Sequence, residues 1–383
     1  MRRWQEEAMQ AWFASGKRGI VSVVTGGGKT FFALKCINEF QRRVAAATVL
    51  ITVPTEALLD QWFEELISFF DMPPRFLNLV SRSRPIKRGR MNIGVINTVA
   101  KLCALDNNPE VFLVVDECHK SASPVLRGVF NIPKLASLGL SATPERPHDD
   151  WFQEVLVPNL GPVIYNYSYK EAMRDSVIVP FDLQNILFEF TDDEQKEYDR
   201  LTRNVRIVIS KYGVESERAV QLLLKRARFV NSSPTRIRIA IKLVARHRAR
   251  KILVFHEDIN ACDVLFEVLR DNSIPVGIYH SKMPLTRRVH TLQEYRAGKI
   301  NVLVSCRALD EGFNVPETEI GIIAASTATY RQRVQRLGRV LRPATDKTRA
   351  IIYSIVASAP EIRRLAAEAE DLKEIAKVVW SRA

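Results

Sequence analysis

The sequence predicts an α/β protein with two doubly wound parallel-sheet domains and a small helical insertion. Short apolar runs alternate with longer segments whose apolar residues recur every three or four positions, which is typical of buried parallel strands joined by helices. A basic stretch at residues 190–233 interrupts this alternation, which then starts again. The 383 residues are 46% hydrophobic, and a chain of this size and composition can form two or three domains with cores of their own.

The first half of the chain predicts one complete sheet with its helices. Residues 2–15 form the first predicted helix, because Trp4, Ala8, Met9 and Trp12 recur at helical spacing. The next predicted elements are strand 19–24, helix 29–43, strand 48–53, helix 56–70, and strands 92–96, 111–115 and 137–141. Ligands bind outside the carboxyl ends of the strands in such a sheet, so we expect the chemistry at that edge.

The middle of the chain predicts a helical insertion. The pattern loosens between residues 145 and 182, and Thr191-Asp192-Asp193-Glu194 then forms a capping box before a helix that extends to about Lys211. A second helix is predicted at 215–230. Both helices are rich in Arg and Lys, so the insertion is either a contact to a nucleic-acid duplex or a plain linker. The run Asn231-Ser232-Ser233-Pro234 is the predicted hinge.

The last third of the chain repeats the alternation and predicts a second α/β domain. Its predicted elements are strand 251–255, helix 260–271, strand 275–279, helix 285–297, strands 301–305 and 319–324, helix 330–341, strand 350–355 and a helix from residue 361. We therefore expect a domain at 1–165, a connecting segment with the insertion at 166–234, and a domain at 235–383.

The composition of the chain indicates which class of partner and which cellular compartment to expect. The formal net charge of +13 fits a polyanionic partner such as nucleic acid, although a solvated basic surface explains the charge equally well. The five cysteines form no Cys-x-x-Cys pair, so we expect reduced, mostly buried thiols and neither a zinc site nor a disulfide framework. No apolar run approaches the roughly 18 residues of a membrane span, and residues 1–7 lack the apolar core of a signal peptide. We expect a cytoplasmic protein with no membrane contact.

A glycine turn between an apolar strand and a helix predicts phosphate binding. Its sequence is Thr25-Gly26-Gly27-Gly28-Lys29-Thr30. Consecutive glycines let backbone N–H groups and a helix N-terminus point at phosphate oxygens. In such a loop Lys29 reaches the β- and γ-phosphates and the Thr30 hydroxyl coordinates Mg²⁺. Val23 stands where the pattern has its first glycine, so a chance Gly-Lys-Thr loop remains the alternative.

Two adjacent acids, Asp116 and Glu117, follow the apolar strand at 111–115. Because side chains alternate along a strand, we expect Asp116 to face the metal and Glu117 to face a water beside the γ-phosphate as the general base. A solvated strand end is the alternative. The run Ser141-Ala142-Thr143-Pro144 ends the next apolar strand. Its position after the glycine turn and the acids makes this short run informative, although by itself it would not be.

Several groups at the same expected edge are candidates for nucleic-acid contacts. Thr55 and Thr98 each follow a predicted strand, where hydroxyls and helix N-termini can hold phosphates, although helix capping explains Thr55 equally well. Arg82 and Arg84 lie in a basic loop at 81–90, which is either a nucleic-acid contact or a solvated surface.

The segment 330–342 carries a row of arginines on its predicted helix. Arg336, Arg339 and Arg342 are spaced by three residues, which places them on one helical face. The row is either a phosphate-binding face or a solvated one.

The ordered set of motifs resembles the superfamily 2 helicases and translocases of the DExH type. Residues 25–30 are similar to motif I of that superfamily, 116–119 to motif II, 141–143 to motif III, 305–316 to motif V, 335–342 to motif VI and 2–5 to the adenine-reading segment. Residues 141–146 and 309–312 further resemble XPB-type DNA helicases and the motor subunits of type I and III restriction systems. The sequence departs from the superfamily at Val23 and at Asn314, where motif V often has Asp.

This resemblance implies a fold of two RecA-like domains with ATP and Mg²⁺ in the cleft between them. Arg336 and Arg339 would bring positive charge to the γ-phosphate, and Gln335 would position the attacking water. Gly312 would belong to the nucleotide site, and Ser305 would contact nucleic acid.

The resemblance also implies roles for the N-terminal segment and for the substrate. Arg2 and Gln5 would read the adenine. DNA would be the substrate rather than RNA, with movement 3′ to 5′ along one strand.

The expected function is therefore an ATP-dependent DNA helicase or translocase. One alternative is a DNA-stimulated ATPase that moves without separating strands and serves a nuclease partner. A second is a nucleic-acid-binding scaffold without ATPase activity, and a third is a P-loop ATPase unrelated to nucleic acid. We expect a monomer that depends on other subunits for target recognition and for any nuclease.

Overall fold

The computed structural model describes residues 1–103, 110–144, 150–306, 318–325, 349–373 and 376–383, together with residues 340 and 347. The described residues form two compact units, one within Met1–Asp175 and one that starts at Ser176. Each unit contains a parallel sheet flanked by helices. The predicted α/β class with two doubly wound sheets is confirmed.

The first unit is built on one parallel sheet. Its elements are α1 (Arg3–Ala14), β1 (Arg18–Val23), α2 (Lys29–Arg43), β2 (Val49–Val53), α3 (Glu56–Phe70), β3 (Leu77–Leu79), β4 (Met91–Val95), α4 (Ile96–Cys103), β5 (Val111–Asp116), β6 (Lys134–Ser141), α5 (Val157–Leu160), β7 (Val163–Tyr167) and α6 (Tyr169–Arg174). Among the described residues the strand order is β3-β4-β2-β5-β6-β1-β7. The central strands β2 and β5 are buried along their whole length, because helices cover both faces of the sheet.

The second unit repeats this plan. Its elements are β8 (Phe181–Leu187), α7 (Asp192–Tyr212), α8 (Glu217–Asn231), α9 (Pro234–Arg246), β9 (Ile252–His256), α10 (Ile259–Asp271), β10 (Val276–Tyr279), α11 (Leu285–Arg296), β11 (Val302–Cys306), β12 (Ile320–Ile323), β13 (Ala350–Val356), α12 (Ala359–Leu372) and β14 (Ala376–Arg382). The strand order in its described part is β10-β11-β9-β12-β13-β8-β14. The predicted helix at 330–341 lies outside the described residues apart from residue 340.

The structure contains four strands that the sequence pattern does not predict, namely β3, β7, β8 and β14. Strand β3 has only three residues. Strands β7 and β14 are edge strands whose residues are mostly half-buried or exposed, so they lack the continuous apolar run of a central strand. Strand β8 largely alternates between buried and half-buried residues and begins at the end of the stretch, residues 145–182, where the periodicity loosens.

The helical insertion forms the hairpin of α7 and α8. The predicted capping box is present, with Thr191 Oγ1 accepting from the backbone N–H of Glu194 and the backbone N–H of Thr191 donating to the Glu194 carboxylate. The same carboxylate accepts from Ser233 Oγ at 2.6 Å and from Thr235 Oγ1 at 3.1 Å, so the hairpin is bonded to the start of α9. The unit boundary after Asp175 divides the predicted connecting segment between the two units.

The five cysteines are all buried, as the sequence predicts, and all are free. Within the described part of the chain, no helix has the length and apolar character required to cross a membrane.

Candidate active site

The glycine turn between β1 and α2 depends on glycine for its shape. Gly26 and Gly28 have φ angles of 87° and 98°, in the left-handed region that side chains disfavour. A Cβ added at Gly27 would lie 2.5 Å from Cγ1 of Val23. Val23 itself is fully buried beneath the turn. The departure from glycine at this position therefore adds core volume under the loop without blocking the loop itself.

The N-terminal segment binds the glycine turn directly. Gln5 donates from Nε2 to the carbonyl of Gly28 at 3.3 Å, and Arg2 donates from Nη1 to the carbonyl of Gly27 at 2.9 Å. The backbone N–H of Arg2 donates to Oε1 of Gln5 at 2.9 Å. The two residues predicted to read adenine thus lie against the predicted phosphate loop.

Lys29 and the two acids meet at the carboxyl end of β5. Nζ of Lys29 lies 2.8 Å from Oε1 of Glu117, and the two side chains are 12% and 13% exposed. The strand ends at Asp116, and Glu117 has a left-handed φ of 47°. The expectation that strand alternation orients Glu117 is therefore wrong: a backbone turn directs its carboxylate to Lys29.

Both carboxylate oxygens of Asp116 accept hydrogen bonds. Trp62 on α3 donates from Nε1 to Oδ2 at 2.9 Å, and the backbone N–H of Glu117 donates to Oδ1 at 3.0 Å. Asp116 and Trp62 are both buried, Trp62 completely. Hydrogen bonds to a buried carboxylate fix its orientation as well as stabilising its charge.

The two neighbouring acids have pKa values shifted in opposite directions. Burial, followed by repulsion from Glu117, raises the pKa of Asp116 to about 6. Burial also disfavours the charged form of Glu117, but attraction to Lys29 outweighs it and lowers the pKa of that carboxyl to about 2. For Lys29, burial favours the neutral amine, yet the two carboxylates raise its pKa overall. One buried cation thus favours ionisation of the acid that it contacts.

His119 lies between Glu117 and the end of β6. His119 Nδ1 lies 3.0 Å from Oγ of Ser141 and 3.4 Å from Oε2 of Glu117. The backbone N–H of Thr143 donates to Ser141 Oγ at 3.1 Å. Ser141 to Thr143, the run singled out by its position in the sequence, therefore lies at the same site.

Sequence reasoning gives no individual role to His119 or to Trp62. The signal for His119 is its place two residues after Glu117. Trp62 lies 54 residues before Asp116, and no spacing rule joins an indole on one helix to a carboxylate on a later strand.

The donor set fits Mg²⁺. Magnesium prefers oxygen ligands and binds through one or two carboxylates together with substrate phosphates. Thr30 in the first turn of α2 offers a hydroxyl and Asp116 a carboxylate. The described residues contain no group of three or more His, Cys, Asp or Glu side chains that could hold a metal. Thr25 Oγ1 is buried and has no hydrogen-bond partner among the described residues, which leaves a free hydroxyl at the loop.

Two family models match the chain in succession. The family described as the res subunit of type III restriction enzymes matches residues 1–146. The helicase conserved C-terminal domain matches residues 235–344. Together they include the glycine turn and the acids in the first unit and residues 235–344 of the chain's second half.

Relatives with curated names match over nearly the whole chain. The DNA 3′-5′ translocase XPB2 of Sulfurisphaera tokodaii is 29% identical, with 95% of this chain and 83% of the relative aligned. The DNA 3′-5′ helicase XPB of Mycobacterium tuberculosis is 24% identical, with 93% of this chain and 60% of the relative aligned. The chain belongs to the superfamily 2 helicases. It is therefore a nucleic-acid-dependent ATPase of the helicase type, and its family uses ATP, usually with Mg²⁺.

Solved structures agree with this fold. The Pyrococcus furiosus Hef helicase domain has a TM-score of 0.61 at 16% identity, covering 96% of this chain and 98% of that one. Saccharomyces cerevisiae Dbp5 bound to RNA and ADP BeF₃ has a TM-score of 0.63 at 16% identity, covering 99% of this chain and 89% of that one. At these identities the likeness concerns the fold, and it confirms two RecA-like domains.

Four of the five predicted nucleic-acid residues of the helicase lie just after neighbouring strands of the first sheet. Thr55 follows β2 and caps α3, its Oγ1 accepting from the backbone N–H of Leu58 at 3.3 Å. Thr98 lies in the first turn of α4, directly after β4. Arg82 and Arg84 are exposed after β3, in a tight turn closed by backbone bonds between residues 81 and 84. The order β3-β4-β2 therefore places all four together at the carboxyl edge.

The second unit contributes one described candidate. Ser305 lies near the carboxyl end of β11, is fully buried, and its Oγ has no hydrogen-bond partner within the described part of the helicase. The predicted residues Gly312, Gln335, Arg336 and Arg339 lie outside the described residues.

Proposed function

We propose that this helicase is an ATP-driven DNA motor that moves 3′ to 5′ along one strand. The observation that carries the proposal is the buried contact between Lys29 of the glycine turn and Glu117 beside Asp116. Phosphate loop, catalytic acid and metal-binding acid are thereby gathered in one place. The names of the two XPB relatives, a DNA 3′-5′ translocase and a DNA 3′-5′ helicase, support the choice of DNA and of direction.

ATP binding would change the partner of Lys29. Phosphate oxygens would bind the N–H groups from Gly26 to Thr30 and attract the Lys29 ammonium. Glu117 then loses the positive charge that lowers its pKa to about 2 and becomes a stronger base. In hydrolysis it accepts a proton from the attacking water as the water oxygen bonds to the γ-phosphorus and the bond to ADP breaks.

Thr30 and Asp116 would hold Mg²⁺, which supplies positive charge to the β- and γ-phosphate oxygens when it is bound. Arg2 and Gln5, already on the carbonyls of the glycine turn, would turn to the adenine, and the hydroxyl of Thr25 would remain beside the phosphates.

The C-terminal motifs supply the other half of the site. Arg336 and Arg339 would act as arginine fingers on the γ-phosphate, an effect worth about 10³ to 10⁵ in rate. Gln335 would position the attacking water, and Gly312 would contact the nucleotide. Hydrolysis would then depend on closure of the two domains.

DNA would lie along the carboxyl edge at β3, β4 and β2. Thr55 and Thr98 would hold phosphates at helix starts, and Arg82 and Arg84 would add charge. Ser305 would hold the same strand from the second domain. Alternating grip by the two domains, driven by closure and opening, would move the protein along the strand.

A second candidate is a DNA-stimulated motor that translocates without unwinding and serves a nuclease. The match of residues 1–146 to the res subunit family of type III restriction enzymes favours it. We expect the protein to be a cytoplasmic monomer on its own and to recruit any nuclease as a separate subunit, which sedimentation with and without a candidate partner measures.

One set of assays decides between these functions. ATPase rates are compared with single-stranded DNA, duplex DNA and RNA at one fixed salt concentration, because affinity for nucleic acid depends steeply on salt. Unwinding of a forked duplex and displacement of a triplex strand are measured in parallel. Stimulation by DNA with strand separation supports the helicase, and triplex displacement without unwinding supports the motor. A rate that no nucleic acid stimulates contradicts both.

A further inference from the structure

The indole of Trp62 is aimed at the metal-binding carboxylate rather than at a neutral acceptor. Its Nε1 donates to Oδ2 of Asp116 at 2.9 Å, and both residues are buried. The other buried indoles of the first unit differ. Trp12 donates to the backbone carbonyl of Ser137 at 2.9 Å, and Nε1 of Trp4 is buried with no hydrogen-bond partner among the described residues.

Packing alone does not account for this geometry. Trp4 lies in the core, and its N–H has no partner in the described part of the chain, so burial of a tryptophan does not by itself require a bond from its indole. A hydrogen bond to a charged group is also stronger than one to a neutral carbonyl. Since the backbone N–H of Glu117 occupies Oδ1 of Asp116, the indole is the side-chain donor that fixes the second oxygen.

Trp62 also lies on the helix that starts at the DNA edge. Thr55 caps α3, and Trp62 is seven residues further on, two turns along the same face. One helix thus has a candidate phosphate contact at its N-terminus and a bond to the ATP site in its middle. A shift of α3 changes the position of the indole and, with it, the orientation of Asp116.

We propose that Trp62 is a positioning residue that orients Asp116 for Mg²⁺ and couples the DNA-facing end of α3 to ATP hydrolysis. The coupling half of this inference rests on the proposed function. The metal half rests on the geometry of the first unit alone. Partners that orient metal ligands typically change metal affinity by about 10 to 100-fold when they are removed.

The test compares Trp62→Phe with Trp12→Phe in the full chain. Both substitutions delete a buried indole N–H and leave an aromatic ring, but only one of the lost bonds ends on Asp116. Mn²⁺ replaces Mg²⁺, and its affinity for the protein with bound ADP is measured from the free Mn²⁺ signal in electron paramagnetic resonance. We expect Trp62→Phe to weaken Mn²⁺ binding about tenfold and Trp12→Phe to leave it within twofold of the wild type.

Two kinetic readouts separate positioning from loss of structure. Trp62→Phe should raise the Mg²⁺ concentration for half-maximal ATPase by a similar factor, with much of kcat recovered at saturating Mg²⁺. It should also reduce the stimulation of ATPase by DNA while DNA affinity stays unchanged. The thermal midpoint of both variants shows whether each is folded.

Mn²⁺ affinity within twofold of the wild type in Trp62→Phe overturns the inference. If Trp62→Phe does not fold, a tryptophan analogue with sulfur in place of the indole N–H, introduced at position 62 alone, removes the donor at constant volume, and the same criterion applies. If DNA does not stimulate the ATPase of the wild type, the proposed function and the coupling half of the inference are overturned. The Mn²⁺ comparison still decides the metal half.

Discussion

Nζ of Lys29 and Oε1 of Glu117 lie 2.8 Å apart in a site where both side chains are nearly buried. The residue proposed to hold phosphate and the residue proposed to take a proton are therefore one ion pair. A polyphosphate that attracts the ammonium group must weaken this pair. Binding of the substrate would therefore draw Lys29 away from Glu117 and, by the same change, make Glu117 a stronger base.

Separate loss of the lysine or of the acid should stop ATP turnover. Lys29→Ala removes the phosphate contact, and Glu117→Gln removes the base, whose contribution is about 10² to 10⁴ in rate. We expect both variants to bind DNA with nearly the wild-type affinity, since neither residue belongs to the proposed DNA edge. Phosphate release and fluorescence anisotropy at one salt concentration measure the two properties. Undiminished turnover in both variants would remove the mechanism.

Lys29 and Glu117 should also show a coupling energy in the free energy of unfolding. Lys29→Met leaves a buried carboxylate without its cation, a change that costs about 3 to 5 kcal/mol. The double variant Lys29→Met, Glu117→Gln should cost less than the sum of the single variants, because no charge is then left unpaired. Urea unfolding of all four proteins gives the coupling energy.

The pair of Arg43 and Glu39 is the control for this cycle, since its side chains are 54% and 29% exposed at 3.1 Å. Its coupling should stay below about 1 kcal/mol. Equal coupling in the two cycles contradicts the electrostatic account of the site.

Arg236 should be a principal source of stability in the second unit. Its side chain is fully buried, bonds Glu361 at 2.8 and 3.0 Å, and donates to the carbonyls of Val230 and Ala324 at 3.1 and 3.0 Å. We expect Arg236→Met to lower the free energy of unfolding by about 3 to 5 kcal/mol, because Glu361 and the carbonyls lose their donor.

Arg200→Met is the matched control, because Arg200 pairs with Glu197 at 2.6 Å while the two side chains are 59% and 34% exposed. The control should change stability by less than about 0.5 kcal/mol. Denaturation followed by circular dichroism measures both variants, and a similar small loss in each would contradict the importance of the buried pair.

His256 should make the second unit sensitive to acid. Burial, with the positive charge of Arg236, lowers the pKa of His256 to about 4. Its ring bonds the carbonyl of Asn231 at 3.1 Å and accepts from the backbone N–H of Asp258 at 3.0 Å. Below pH 6.5 the imidazole of His256 takes up a proton in the unfolded protein but stays neutral in the folded protein. The free energy of unfolding therefore falls as the pH decreases. The expected loss from this group is about 2 kcal/mol between pH 7 and pH 5.

Urea unfolding at several pH values measures this loss. His256→Gln should flatten the dependence between pH 7 and pH 5, since the amide does not titrate. His290→Gln, which removes an exposed imidazole, is the control and should keep the dependence of the wild type. An unchanged slope in His256→Gln would show that other groups cause the acid sensitivity.

Local sequence signals were sufficient to predict many of the helices and strands of the first unit. The helices predicted at 29–43 and 56–70 have the observed bounds of α2 and α3, because glycine or threonine caps and apolar periodicity are encoded within a few residues. Strands β7 and β14 were missed because an edge strand buries little and leaves no apolar run. The orientation of Glu117 was missed because it depends on a left-handed backbone angle, which strand periodicity does not contain.

The sequence by itself determined the glycine turn, the acids that end β5 and the alternation of strands and helices, since each is set by residues close together in the chain. Tertiary structure alone decided which strands are neighbours, and so grouped the DNA candidates at β3, β4 and β2 and the nucleotide candidates at β5, β6 and β1. It also joined Lys29 to Glu117 and Trp62 to Asp116 across 88 and 54 residues. Crossover connections fix such contacts through the packing of the whole sheet, and no local pattern of residue types records that packing.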